Sequence, residues 1–274
     1  MSSRSAFLSR LSALEQRVLP PSPVVVPSAV ELMTTAVGEP DPWQVQVLTS
    51  RSPRMLLNCC RQSGKSQTVA CLALHTALTT SASLTLLVSP SLRQSMELFR
   101  KVAQAFSALG QPMPLEAETK LAYELANGSR LIALPGTEQT IRGYSGVDLL
   151  IIDEAARVND ELYYACKPFM AVSQGRTLCL STPWGKRGWW FREWSEGENW
   201  QCILVPAMQC PRIPLQFLAE EQRTLPALWF RSEYCCEFVD VTDQVFGSDL
   251  VHAALADDIA PLFAGDAGGL SLWV

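Results

Sequence analysis

From residue 54 onward the chain alternates short apolar runs with longer amphipathic stretches, and no other feature narrows the fold as much. RMLLNC (54–59), SLTLLVS (83–89), VDLLIID (147–153), TLCLS (177–181) and WQCILV (200–205) read as buried strands. Gly64–Leu78 and Leu92–Ala108 carry helical patterns between them. LAYEL, the Asn127-Gly128 pair and RLIAL form a β-hairpin signal, because Asn-Gly suits a tight turn between two strands. Strands that alternate with helices predict an α/β fold: a mostly parallel sheet covered by helices on both faces, with the hairpin appended.

The ends read differently. Residues 2–19, SSRSAFLSRLSALEQRVL, space Phe7, Leu11, Leu14 and Val18 along one helical stripe. The stripe suits a docking or packing helix, an N-terminal helical arm, although its Ser and Arg content also fits an organelle transit peptide. PPSPVVVP (20–27) holds four prolines and marks a stiff linker. At 274 residues and 48% hydrophobic composition the chain has material for one large domain with appendages. No apolar run reaches the roughly 18 residues of a membrane span, and the first residues lack the order of a secretory signal. The expectation is a soluble, intracellular protein without a membrane partner.

Composition also excludes chemistry. Nine cysteines include two adjacent pairs, Cys59-Cys60 and Cys235-Cys236, and no CxxC, so small buried hydrophobes are expected rather than a disulfide framework or zinc ribbon. Two histidines, His75 and His252, leave little for His-based metal or triad chemistry. With a net charge of −5, any nucleic acid must be held by a local basic surface. Asn127-Gly128-Ser129 spells a glycosylation acceptor but is better explained as the hairpin turn. GYSG (143–146) resembles a nucleophile elbow, yet Val147 stands where the second Gly is required.

The stretch NCCRQSGKSQ (58–67) has the second half of a phosphate-binding loop, with Cys59 where the leading Gly belongs. It follows a strand and opens a helix, the setting in which backbone N–H groups and the positive helix end converge on phosphate. Arg61, Gln62, Ser63, Gly64, Lys65, Ser66 and Gln67 are the candidate phosphate-loop residues. Lys65 suits the β- and γ-phosphates of ATP, and the Ser66 hydroxyl suits Mg²⁺. VDLLIIDEA (147–155) ends a buried strand in two carboxylates: Asp153 to hold Mg²⁺ and Glu154 to orient or deprotonate water. LCLSTP (178–183) brings Ser181 and Thr182 to the same sheet edge, where hydroxyls can sense the γ-phosphate.

In this order the motifs resemble the ATPase domain of the large terminase subunit, the motor that packages DNA into tailed-phage and herpesvirus-like capsids. The resemblance runs from about residue 40 to 247 through DPWQVQVL (41–48), CCRQSGKS (59–66), IRGYSGVDLLIIDEA (141–155), LSTPWGKRG (180–188) and EYCCEFVD (233–240). It implies a RecA/ASCE-like fold over residues 28–247, after an arm and linker at 1–27 and before a tail at 248–274. It accounts for the departure at Cys59 and gives Arg61 a role at the γ-phosphate, for which a forked, permanently charged guanidinium is apt. By resemblance Trp43 and Gln44 contact adenine, though Trp43 also suits core packing. Arg142 matches a finger into a neighbouring subunit or is a surface residue of its loop. Ser181 and Thr182 match the family's coupling motif. WGKRGWWFREW (184–194) mixes four tryptophans with Lys186, Arg187 and Arg192, which suits either DNA contact or a helix packed on the core through its rings.

The resemblance further implies double-stranded DNA, a homo-oligomeric ring, a portal protein and a small terminase subunit as partners, in the host cytoplasm at the procapsid portal. Family members usually continue into an RNase H-like nuclease using several carboxylates and two metals. Here PLFAGDAGG (261–269) offers only Asp266, so no DNA cleavage by this chain is expected. Two other classes stay open on the residues: a helicase-like ATPase, and a nucleotide-binding remnant without turnover.

Overall fold

The computed structural model describes residues 26–136, 141, 143–240 and 254. The amphipathic stretch 2–19, most of the proline linker, Arg142, His252 and the tail with Asp266 lie outside the described residues.

Two short helices, α1 (Ala29–Ala36) and α2 (Pro42–Thr49), precede the sheet. Ser28 and Glu31 start α1 with a reciprocal capping box, and Pro42 opens α2 at a position where its missing N–H costs nothing. Then follow β1 (Arg54–Cys59), α3 (Lys65–Thr79), β2 (Leu84–Ser89) and α4 (Leu92–Ala108). Next are β3 (Leu115–Glu118), β4 (Ala122–Leu125), β5 (Arg130–Pro135), β6 (Leu149–Asp153) and α5 (Asp160–Cys166). The order closes with β7 (Arg176–Ser181), α6 (Gly188–Ser195), β8 (Gln201–Val205), α7 (Leu215–Thr224) and α8 (Ala227–Glu233).

The described residues form one eight-stranded sheet, ordered β3-β4-β5-β2-β6-β7-β1-β8. The six strands from β5 to β8 in that order run parallel, and only the β3–β4–β5 edge is antiparallel. The Asn127-Gly128 turn joins β4 to β5 as expected: Gly128 sits at φ +79° and Ser129 N–H donates to Asn127 Oδ1 at 3.0 Å. Strand β3 was not legible, since Leu-Glu-Ala-Glu is mostly exposed and carries no alternation.

Alternation along the central strands divides the core in two. Met55, Leu57, Leu149, Ile151, Leu178 and Leu180 face α1 to α4, while Leu56, Leu150, Ile152 and Cys179 face α5 and α6. Both faces are dry, which is why these strands are continuously apolar. The Trp-rich stretch packs on the second face. Trp189 stacks on Tyr163 with centroids 3.8 Å apart and donates Nε1–H to Val158 O at 2.9 Å, and Trp190 is buried beside it. Trp194 is partly buried against the same cluster, and Trp184 stands more exposed, under the Arg157 guanidinium.

Candidate active site

The parallel register brings the carboxyl ends of β1, β7 and β6 to one edge. Asn58 of β1 lies opposite Ser181 of β7, and Leu180 lies opposite Asp153 of β6. Strand β7 therefore stands between the strand that feeds the loop and the strand that delivers the acids. Ser181 and Thr182 emerge between them, both buried, with Ser181 Oγ–H donating to Thr182 O at 2.7 Å.

Between β1 and α3 the chain turns through two left-handed residues, Gln62 at φ +60° and Gly64 at φ +88°. Gly64 tolerates this without a Cβ clash; Gln62 is a strained exception of the kind that gathers at functional loops. Cys59, in place of the leading Gly, is fully buried, and burial pushes its thiol up to about 12. It acts as a small neutral filler and not as a nucleophile.

On the inner side of this loop the sequence-predicted groups meet. Ser66 Oγ–H donates to Asp153 Oδ2 at 2.9 Å, across 87 residues of sequence. The Lys65 ammonium lies 3.7 Å from Glu154 Oε1. Glu154 N–H donates to Asp153 Oδ1 at 2.9 Å, and Glu154 itself is left-handed at φ +52°. Burial, and then the neighbouring Glu154 charge, raise the Asp153 carboxyl above its ordinary range; Lys65 and the Ser66 hydrogen bond offset part of this.

The outer side pairs the predicted Arg61 with an unflagged partner and adds an arginine, Arg212, that the sequence did not flag. Arg61 Nε lies 2.6 Å from Glu233 Oε2, and Arg61 N–H also donates to Glu233 O at 3.2 Å. Arg212, on the turn after β8, donates from Nη2 to Asp41 Oδ2 at 2.8 Å and to Ser63 O at 2.7 Å. Both contacts span more than a hundred residues of sequence, so no local pattern announces them.

Two further candidates, Gln44 and Trp43, lie inside the protein. Gln44 is fully buried, its Oε1 accepting from Asp41 N–H at 2.8 Å and its Nε2–H donating to Thr68 Oγ1 at 2.9 Å. Each end of the amide is hydrogen-bonded within the protein, so it braces the start of α3. Trp43 is buried in the core cluster beneath α1 to α4, the packing role its sequence context also suits. Lys186 lies 3.6 Å from Asp240, and Arg187 is exposed. A cavity of about 610 Å³ opens at the opposite, amino end of β1, β6 and β7, between Arg54, Tyr163, Lys167, Met170 and Trp200. None of the convergent acids and loop residues borders it, so the chemistry is assigned to the carboxyl edge.

The sequence profile described as Terminase large subunit, T4likevirus-type, N-terminal matches residues 56–208. The large terminase subunit of Thermus virus P23-45 is 24% identical over 251 residues, an alignment covering 77% of this chain and 51% of that protein. The chain thus spans about half the length of such curated relatives. Among solved structures, the ATPase domain of the Thermus phage P74-26 large terminase superposes with a TM-score of 0.66 at 21% identity, covering 75% of this chain and 97% of that one. The large terminase of another thermophilic bacteriophage, solved in complex with ADP, gives a TM-score of 0.62 at 11% identity, over 73% of this chain and 54% of that one. At these identities the structural likeness establishes the fold, a P-loop sheet with β7 inserted beside the loop strand.

Proposed function

This chain belongs to the large terminase subunit family, and on that premise we propose that it is an ATPase that couples hydrolysis to movement of double-stranded DNA into a viral capsid. The observation that carries the reading is the convergence of Lys65 and Ser66 with Asp153 and Glu154 at the carboxyl edge of the sheet.

Each residue takes a role from its surroundings. The loop N–H groups and the positive end of α3 receive the phosphates, and Lys65, held nearly buried, neutralises the β- and γ-oxygens. Ser66 Oγ and Asp153 are hard oxygen donors, already 2.9 Å apart, and fit Mg²⁺. Among the described residues no group of three or more His, Cys, Asp or Glu side chains could hold a metal ion, which suits an ion held largely by substrate phosphates and water. When bound there, Mg²⁺ supplies charge neutralisation at the transferring phosphoryl group. Glu154, a quarter exposed, exchanges its contact with Lys65 for the attacking water and orients or accepts a proton from it. Arg61 turns from Glu233 to the γ-phosphate, and Ser181 and Thr182 register the loss of that phosphate between the two site strands.

By family resemblance the partners are a homo-oligomeric ring of copies, in which Arg142 serves a neighbour, together with a portal protein and a small terminase subunit. The working place is the host cytoplasm at the procapsid portal. Among the described residues no helix is long and apolar enough to cross a membrane. Phosphate release from MgATP, measured with and without double-stranded DNA, tests the proposal. Turnover raised by duplex is the expected result; no turnover under either condition would leave only a nucleotide-binding remnant, and strand separation would favour a helicase.

A further inference from the structure

We propose that Arg212 is a positioning residue of the nucleotide loop, fixing the Ser63–Gly64 peptide so that the Gly64 N–H is aimed at the phosphates. The inference rests on the nucleotide reading of the same loop.

The geometry is specific. The two N–H bonds of Arg212 Nη2 serve two acceptors, Asp41 Oδ2 at 2.8 Å and Ser63 O at 2.7 Å, while Nη1 leans on Asp41 Oδ1 at 3.4 Å. Asp41 is the buried member of the pair, so it sets the direction of the guanidinium. The base of Arg212 is fixed as well: the turn is tied by Cys210 N–H to Ala207 O and Ile213 N–H to Cys210 O, and Cys210 and Ile213 are buried.

A peptide unit is planar, and in a trans unit the C=O and N–H point in opposite directions. The chain has no cis peptide among the described residues. Drawing Ser63 O outward to Arg212 therefore turns the Gly64 N–H inward, and that N–H has no acceptor among the described residues.

Such a lock is needed at this unit more than at the next. Gly64 O already accepts from Gln67 N–H, Thr68 N–H and Thr68 Oγ–H, each at 3.1 Å, so the start of α3 holds it. The Ser63–Gly64 unit has no helix to hold it and lies beside a glycine at φ +88°, where a peptide flip meets no side-chain barrier. A Cβ added to Gly64 would lie 3.0 Å from Gln44 Nε2 and 3.2 Å from Arg212 Nη2. The space a side chain would take is thus filled by the two groups that brace the loop.

The test compares MgADP affinity, by fluorescence anisotropy of a labelled ADP, in the wild-type chain, Arg212→Ala and Asp41→Asn, with melting temperatures taken without nucleotide. Arg212→Ala is expected to bind about tenfold more weakly, as when one charge-assisted hydrogen bond no longer positions the loop. Its melting temperature should stay near wild type, because the guanidinium is half exposed, and free guanidinium ion should restore part of the affinity. Asp41→Asn, which keeps Arg212 but frees its direction, should lose about threefold. Affinity within twofold of wild type in Arg212→Ala overturns the inference, as does a loss that tracks melting temperature and resists guanidinium. If Arg212→Ala does not fold, unchanged affinity in Asp41→Asn overturns it instead. A wild-type chain that fails to bind MgADP counts against the nucleotide reading itself.

Discussion

The ion pairs on the two sides of the phosphate loop are built in opposite senses. On the inner side the cation is the fixed partner: Lys65 is 9% exposed and Glu154 is 25% exposed. On the outer side the acids are fixed, Glu233 at 10% and Asp41 at 9%, while Arg61 and Arg212 stand 59% and 46% exposed. A buried charge cannot move far without losing its compensation, so the exposed member is the one free to reorient, except Arg212, which Ser63 O also holds. The inner side thereby offers a mobile base to water, and the outer side offers one mobile cation, Arg61, to phosphate. The difference turns three charged pairs into a division of labour.

The comparison breaks first at Lys65. Lys65→Ala removes the fixed cation of the inner side, and ATP turnover should fall by roughly a thousandfold in a phosphate-release assay. A loss of less than about tenfold would mean the inner pair is structural.

Next in size is Gly64→Ala, which forces a Cβ into a left-handed residue against Gln44 and Arg212. Denaturant unfolding should show a loss of about 1–2 kcal/mol, with nucleotide affinity lowered as well.

The outer side should answer asymmetrically to mutation. Arg61→Ala leaves Glu233 buried without its ion partner and should cost about 1 kcal/mol, or about 2–4 °C in melting temperature. Glu233→Gln alone should stay within about 0.5 kcal/mol, because Arg61 is already well hydrated. Combining the two should recover stability but not turnover. Equal costs for both single variants would erase the distinction between fixed and free partners.

The smallest effect concerns pH. Asp153 is raised above the ordinary carboxylate range, so without metal the neutral form is favoured more than in a free aspartate. Holding Mg²⁺ requires the anion, so binding releases part of a proton and apparent affinity rises with pH until it passes the raised pKa. Calorimetric titration of Mg²⁺ with ADP in buffers of different ionisation enthalpy should detect that release; none would show Asp153 to be already ionised.

Much of this was legible before any coordinates. The continuous apolar runs fixed the parallel strands because both sheet faces are covered, and Asn127-Gly128 gave the hairpin because only a few residue pairs accept that turn. Lys65 and Ser66 were legible because they open a helix just after a buried strand, and Asp153 and Glu154 because a buried strand ends there, places dictated locally. The sheet order was not, since the insertion of β7 between β6 and β1 depends on which strands find one another in space. Glu233 and Arg212 were invisible for a related reason: their partners lie on the far side of the sequence, and a single Arg between two prolines looks like any surface cation. The bracing bonds of Gln44 to Asp41 and Thr68 were not legible either, because the residue type alone fits both a base contact and a helix brace.

The most direct test of the account is Glu154→Gln, with ATP binding and phosphate release measured on the same preparation. The pair geometry predicts binding within a few-fold of wild type and turnover lower by a factor of about a hundred to a thousand, because the amide keeps the shape but cannot take a proton from water. Turnover near wild type, or binding and turnover lost together, would contradict the assignment of the mobile acid on the inner side as the base.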